Sequence, residues 1–207
     1  LSPIDDIQEV TRRAWLDGHR NAVILVPDNA QGNRISNIFV SSWEEAGGRI
    51  VDKQTYKPKS TEFSEIIKKL FNLDESEYRF KKISELIPDL KYVPRKRDDV
   101  DAIFLSANTT DSRLINPQLR YFQASNIPVY AMPAVYSGQI NTSLDSDLND
   151  ITFCDIPWLL NGSLSGALSQ EGLREIWQSF PDSYLRLVAM GIDAYHLAGR
   201  LPILNTS

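Results

Sequence analysis

Side chains that bridge, coordinate or relay protons are scarce in this chain of 207 residues, which holds one cysteine, Cys154, and two histidines, His19 and His196. One cysteine excludes an internal disulfide, and no Cys/His cluster has the spacing of metal ligands. Cys154 lies in the apolar stretch Ile151–Ile156 and reads as a small buried hydrophobe. It is silent about redox compartment. His19 follows Gly18 at a helix end, where a positive ring is mildly favoured, and His196 falls inside the last helical pattern. Structural roles account for both. No apolar run reaches the roughly 20 residues a bilayer-spanning helix needs. The chain begins at Leu1 rather than Met, so we expect a processed protein or an excised fragment, one that would have lost any signal peptide.

Signatures of catalysis are missing too. There is no Gly-x-Gly-x-x-Gly and no Walker-type phosphate loop. Gly162–Gly166 has the outline of a nucleophile elbow, but Leu164 occupies the position where serine is required. No Ser-x-x-Lys pair occurs. The pairs Glu44-Glu45 and Asp98-Asp99 read as ordinary surface charge. Catalysis needs a converging nucleophile, base and orienter, and none is advertised. We therefore assign no catalytic residue, no metal ligand and no cofactor, although sequence separation leaves room for a pocket assembled in three dimensions. The net charge of −5 disfavours a general nucleic-acid binder. Four Asn-x-Ser/Thr triplets, at Asn108, Asn141, Asn161 and Asn205, matter only in a eukaryotic secretory protein.

What the chain does have is three short apolar runs rich in β-branched residues: Asn21–Val26, Val100–Leu105 and Ile127–Met132. Such runs suit strands buried on both faces of a parallel sheet. Helical patterns alternate with them, the mark of an α/β open sheet. The first helix spans 3–18, with Ser2 as N-cap, Pro3 at its first position and Gly18 at its end. A second spans 33–46, with Ile35, Phe39 and Trp43 on its apolar stripe. Arg49–Tyr56 alternates like an edge strand, and Ser64–Asn72 is again helical. Residues 73–99 form an insertion with one more helical pattern (Tyr78, Ile83, Leu86, Ile87, Leu90) followed by the basic stretch Lys91–Arg97. Another helix is expected to start at Asn116 with Pro117 at its first position. After the strand 151–156, the stretch 161–169 reads as a flexible connection. Helices follow at about 170–179 and 183–200, the second with an apolar stripe through Tyr184, Leu187, Ile192 and Tyr195 that needs cover from a neighbour or from the sheet.

Read in order, Leu1-Ser2-Pro3 before a helix, Val26-Pro27-Asp28, Gly32 opening the next helix and Glu44–Gly48 closing it resemble the second lobe of type I periplasmic solute-binding proteins. Gly191–Ala198 is similar to the helix by which those proteins return to their first lobe. A more specific resemblance covers about 94–200. Pro94–Leu105, Ile127–Ala131 with Tyr136-Ser137-Gly138, Asp147–Leu160 and Phe180–Tyr195 resemble the LppC family of outer-membrane lipoproteins. That resemblance implies an open, parallel five-stranded sheet with helices on both faces, one lobe of a type I periplasmic-binding-protein-like fold. Residues 1–157 would be this lobe, with the insertion at about 73–99, and 158–207 would be helices of an incomplete first lobe.

It also implies a non-enzymatic regulator on the periplasmic face of the Gram-negative outer membrane. Such a protein binds a class A penicillin-binding protein and stimulates its peptidoglycan transpeptidase activity. The lipidated cysteine and a helical N-terminal domain would lie outside this chain. In open α/β sheets ligands meet the loops after the strand C-terminal ends, which makes Asn29, Gln31, Asn108, Thr109, Tyr136 and Ser137 the cleft candidates. Amino-acid-binding relatives often place Tyr where this chain has Gln31. Two readings stand: a site for a small polar ligand such as a cell-wall fragment, as in a solute receptor, or hydrated cleft lining. Arg95, Lys96 and Arg97 are the candidates for partner contact, against the reading of a solvated surface loop.

Overall fold

A strand that is apolar on both faces must be covered on both. The computed structural model, which describes residues 2–87, 91–93, 95–160, 166–177, 179–180, 184–198 and 200, shows how this is done. Five strands, β1 (Asn21–Pro27), β2 (Arg49–Tyr56), β3 (Ala102–Leu105), β4 (Val129–Ala131) and β5 (Ile151–Phe153), form one parallel sheet in the order β2-β1-β3-β4-β5. The fold class is therefore the expected α/β open sheet, with β2 and β5 at its edges.

Side chains alternate across the sheet with period two. Ala22, Ile24, Val26, Phe104 and Tyr130 point to one face, where α1 (Pro3–Leu16) contributes Ile7, Val10 and Ala14 and α2 (Ala30–Glu45) contributes Phe39 and Trp43. Val23, Leu25, Ile103, Leu105 and Val129 point to the other. There α3 (Ser64–Leu70) brings Ile67 and Leu70, and α5 (Thr109–Leu119) brings Ile115 and Leu119. The register places Ile24, Phe104 and Tyr130 in one row across β1, β3 and β4. Phe104 stacks on Phe39 at 4.9 Å between ring centroids and meets Trp43 edge-on at 5.0 Å. Asp101 ties the entry of β1 to that of β3, its carboxylate accepting from the backbone N–H groups of Arg20 and Asn21 at 3.0 Å.

Helix starts follow their caps. Ser2 Oγ accepts from Ile4 N–H, and Asn29 Oδ1 accepts from Gly32 N–H at 2.7 Å. The helix expected to begin at Asn116-Pro117 begins instead at Thr109, because Asn108 caps it by accepting from Asp111 N–H at 2.8 Å. Asn116 is buried inside α5, and its amide donates to the carbonyls of Asp147 and Asn149 at 2.8 and 3.0 Å, pinning the loop before β5. Pro117 supplies no N–H to the turn before it, and α5 gives way to a π-type turn at Arg120–Ala124. α4 (Leu73–Ser84) is present, but its expected apolar stripe is not buried: Tyr78, Ile83, Leu86 and Ile87 are exposed, and Leu90 lies outside the described residues. Cys154 is half-buried, and burial pushes its thiol pKa up.

The contacts divide the chain into two units, one of residues 2–136 and 141–154 that carries the sheet, the other of residues 137–140 and 155 onward. In the second, α6 (Pro157–Leu160), α7 (Gln170–Ile176) and α8 (Leu185–Ala198) pack through Trp158, Leu159, Leu185, Ala189 and Ile192. Trp158 Nε1 donates to the Leu168 carbonyl at 2.9 Å, and Arg186 pairs with the buried carboxylate of Asp155. The packed side of α8 is rotated from the expected stripe because Leu185 and Ala189 are the residues that meet Trp158 and Leu159. Tyr184, Leu187 and Tyr195 are left more than half exposed. All of the elbow-like segment but Gly166, and most of the expected flexible connection, lie outside the described residues.

Truncating the ring at the centre of the first face leaves a cavity that neither α2 nor the sheet can collapse to fill. Phe104→Ala is expected to lower the unfolding free energy by about 3–5 kcal/mol, measured by urea denaturation, while Phe104→Leu loses less.

Candidate functional site

The C-terminal ends of β1, β3 and β4 open into the loops that carry the polar residues singled out from the sequence. After β1 the chain turns at once into α2. The turn is tight because a Cβ at Gly32 would fall 1.9 Å from the Pro27 carbonyl oxygen, so only glycine lets the helix start this close to the strand. Asp28 N–H donates to the Tyr56 carbonyl at 2.7 Å, joining this turn to the end of β2.

Most of the polar groups at this mouth have structural duties. Asn29 and Asn108 cap α2 and α5. Thr109 donates its hydroxyl to the Ala134 carbonyl at 3.2 Å, joining the loop after β3 to the loop after β4. Tyr136 is half-buried with its ring 5.6 Å from that of Phe153. Gln31 is exposed on the first turn of α2. The structure thus brings Asn29, Gln31, Asn108, Thr109 and Tyr136 to one end of the sheet. Ser137 belongs to the other unit, where its hydroxyl donates to the Gln139 carbonyl at 3.1 Å.

Two residues the sequence reading passed over sit beneath this mouth. Asp111 is buried, and its carboxylate accepts from Asn108 Nδ2 at 3.0 Å and from Lys59 N–H at 3.3 Å. Tyr56 is buried beside it and donates to the Ser106 carbonyl at 3.2 Å. Burial first, and the Asp111 charge next, push the Tyr56 hydroxyl well above its ordinary pKa and keep it neutral. Asn108-x-x-Asp111 is a capping-box spacing, the signal from which this start of α5 could have been read. These groups orient loops and caps. Among the described residues, no cluster of His, Cys, Asp and Glu is arranged to hold a metal ion.

The basic stretch is divided in its roles. Arg97 pairs with Asp99 through two contacts of 2.6 and 3.0 Å, and this partner holds its guanidinium pKa up. Lys96 donates to Asn126 Oδ1, and partial burial lowers its pKa. Arg95 is exposed. In the second unit, Leu173, Trp177, Tyr184, Leu187 and Tyr195 line an open apolar groove of about 590 Å³.

A family model described as "LppC putative lipoprotein" matches residues 1–206. A penicillin-binding protein activator LpoA from Photobacterium profundum is 29% identical over 210 residues, covering 99% of this chain and 33% of its own. One from Vibrio cholerae is 28% identical over 206 residues, covering 98% and 33%. The chain thus spans about a third of the length of these curated relatives. Among solved structures, the LpoA (YraM) C-domain from Haemophilus influenzae, described as a regulator of PBP1A, matches with a TM-score of 0.62 at 21% identity, over 99% of this chain and 55% of that one. An ABC transporter substrate-binding protein from Desulfitobacterium hafniense matches with a TM-score of 0.54 at 19% identity, over 95% and 48%. These structural likenesses are of fold.

The cap at the mouth can be tested on its own. Asn108→Ala is expected to cost about 1 kcal/mol in chemical denaturation, whereas Asn108→Ser, which keeps an oxygen acceptor, restores most of it.

Proposed function

This chain belongs to the LppC family, and we propose that the protein carrying it activates a class A penicillin-binding protein. The observation that carries the reading is the family match along nearly the whole chain, together with relatives named for this activity. The protein regulates and does not itself catalyse. It acts on the periplasmic side of the Gram-negative outer membrane, held by a lipid anchor on a part of the protein outside this chain. Stimulation requires that it bind one state of the synthase more tightly than another. The polar residues at the sheet mouth are hydrated lining, because Asn29 and Asn108 spend their side-chain oxygens on helix caps.

The direct test reconstitutes the whole protein with a purified class A penicillin-binding protein and follows peptide cross-linking of newly made glycan. The expected outcome is a faster cross-linking rate with the protein present. An unchanged rate, with no detectable binding, contradicts the reading.

We further infer that residues 158–207 begin a return into a second lobe. Support comes from the open apolar groove of α7 and α8, and from the match that covers all but 1% of this chain yet only 55% of the H. influenzae domain. Contiguous exposed apolar surface of this kind ordinarily marks an interface. The isolated chain is expected to bind an apolar fluorescent dye or to self-associate, and Leu187→Ser with Tyr195→Ser to reduce both. A version extended to the full domain length should show neither behaviour. Equal dye binding by the short and extended forms would remove the inference.

A further inference from the structure

The crossover from β2 to β3 needs one helix, and α3 supplies it. α4 adds a helix of 12 residues of which only Leu73 is buried. A helix of that length is marginal in water unless packing holds it, so its exposed faces are not explained by the core. Residues 91–93 and 95–97 run back along it. Tyr92 meets the Phe80 ring at 4.6 Å, Arg95 N–H donates to Ser76 Oγ at 3.3 Å, and Arg97 N–H donates to the Phe71 carbonyl at 3.0 Å. Helix and returning segment make one face.

Residues 73–97 carry seven basic side chains against five acidic ones, in a chain whose net charge is −5. Some of these cations are compensated locally. Arg79 reaches Glu75 at 3.4 Å, and Lys81 and Lys68 share Glu77 at 3.5 and 3.7 Å. Arg97 is paired with Asp99, whereas Lys96 donates to the neutral amide of Asn126 and keeps its charge. Lys82, Lys91 and Arg95 reach no carboxylate among the described residues. Lys82 lies over the Tyr78 ring at 4.7 Å, which leaves its charge unneutralised. In the same stretch of sequence, Leu86 is 82% and Val93 76% exposed. An exposed aliphatic side chain alone is ordinary. Two of them set among uncompensated cations, on an element the core does not need, form a surface that fits an acidic partner with an apolar centre.

We propose that α4 and the segment returning beside it dock on an acidic, partly apolar surface of a partner protein, with Lys82, Lys91 and Arg95 supplying charge and Leu86 and Val93 apolar contact. The inference rests on the activator reading above, which makes the partner the class A synthase. A protein fits better than an anionic bilayer or polymer. Asp74 and Glu75 sit on the first turn of the same helix and would be repelled by a uniformly negative surface, whereas a protein surface can present both signs.

The test measures the affinity and salt dependence of the whole protein for a purified class A penicillin-binding protein, wild type against Lys82→Glu/Lys91→Glu/Arg95→Glu. All three side chains are exposed, so the melting temperature should not move. The expected result is binding about tenfold weaker or more, lost mainly in the association rate, with a flatter dependence on salt. The neutral variant Lys82→Gln/Lys91→Gln/Arg95→Gln should fall between, and Lys82→Arg/Lys91→Arg should bind like wild type. Wild-type affinity and salt slope in the reversed variant would overturn the docking face and leave the activator reading standing. Unchanged synthase affinity with lost binding to isolated sacculi or to anionic vesicles would overturn it in favour of a polymer or lipid occupant. A wild-type protein that does not bind the synthase would overturn the activator reading and this inference together.

Discussion

Burial of a parallel sheet on both faces is the constraint from which the rest of this structure follows. Alternate residues of β1, β3 and β4 feed two separate cores, and neither survives without its helices. The row Ile24–Phe104–Tyr130 needs α1 and α2 above it, and the residues between need α3 and α5 below. Stacked and edge-on ring contacts around Phe104 make the first core a shape-specific fit rather than a generic apolar layer. With both faces committed to packing, what remains for function is the sheet's mouth, its edges and its insertions.

The mouth is where a doubly wound sheet ordinarily meets a ligand. Here its polar side chains are drawn into holding the loops together. Asn29 and Asn108 cap helices, Thr109 links the loops after β3 and β4, and Asp111 and Tyr56 form a buried support beneath them. That arrangement ties the loops at this end of the sheet to one another. Outside these cores, the stretch of α4 beyond Leu73 with its returning segment and the outer side of α8 carry exposed apolar groups, Leu86, Val93, Tyr184 and Tyr195 among them.

Much of this was legible in the sequence where a local rule and the tertiary demand agree. Ser2-Pro3 starts α1 and Gly18, with a backbone φ of +95°, ends it. The β-branched runs are the central strands. The start of α5 was misplaced because Asn116-Pro117 imitates a helix start, while the amide of Asn116 is claimed by carbonyls some 30 residues further on, which no local pattern announces. The packed side of α8 was misjudged for a related reason. Its stripe has apolar residues on more than one side, and the choice among them is made by Trp158 and Leu159. Polar residues at the mouth could be placed from topology alone, but their engagement in caps depends on hydrogen bonds that form only once the loops are side by side. The LppC resemblance, carried by whole stretches rather than single residues, was readable over about 94–200.

Hydrogen–deuterium exchange on the complex between the whole protein and a class A penicillin-binding protein tests the central claim most directly, because it maps which backbone becomes protected. Slower exchange concentrated in residues 73–97, with the mouth loops at 28–31, 106–110 and 133–136 exchanging as in the free protein, is the result this account predicts. Protection confined to those mouth loops, with 73–97 unchanged, would contradict it.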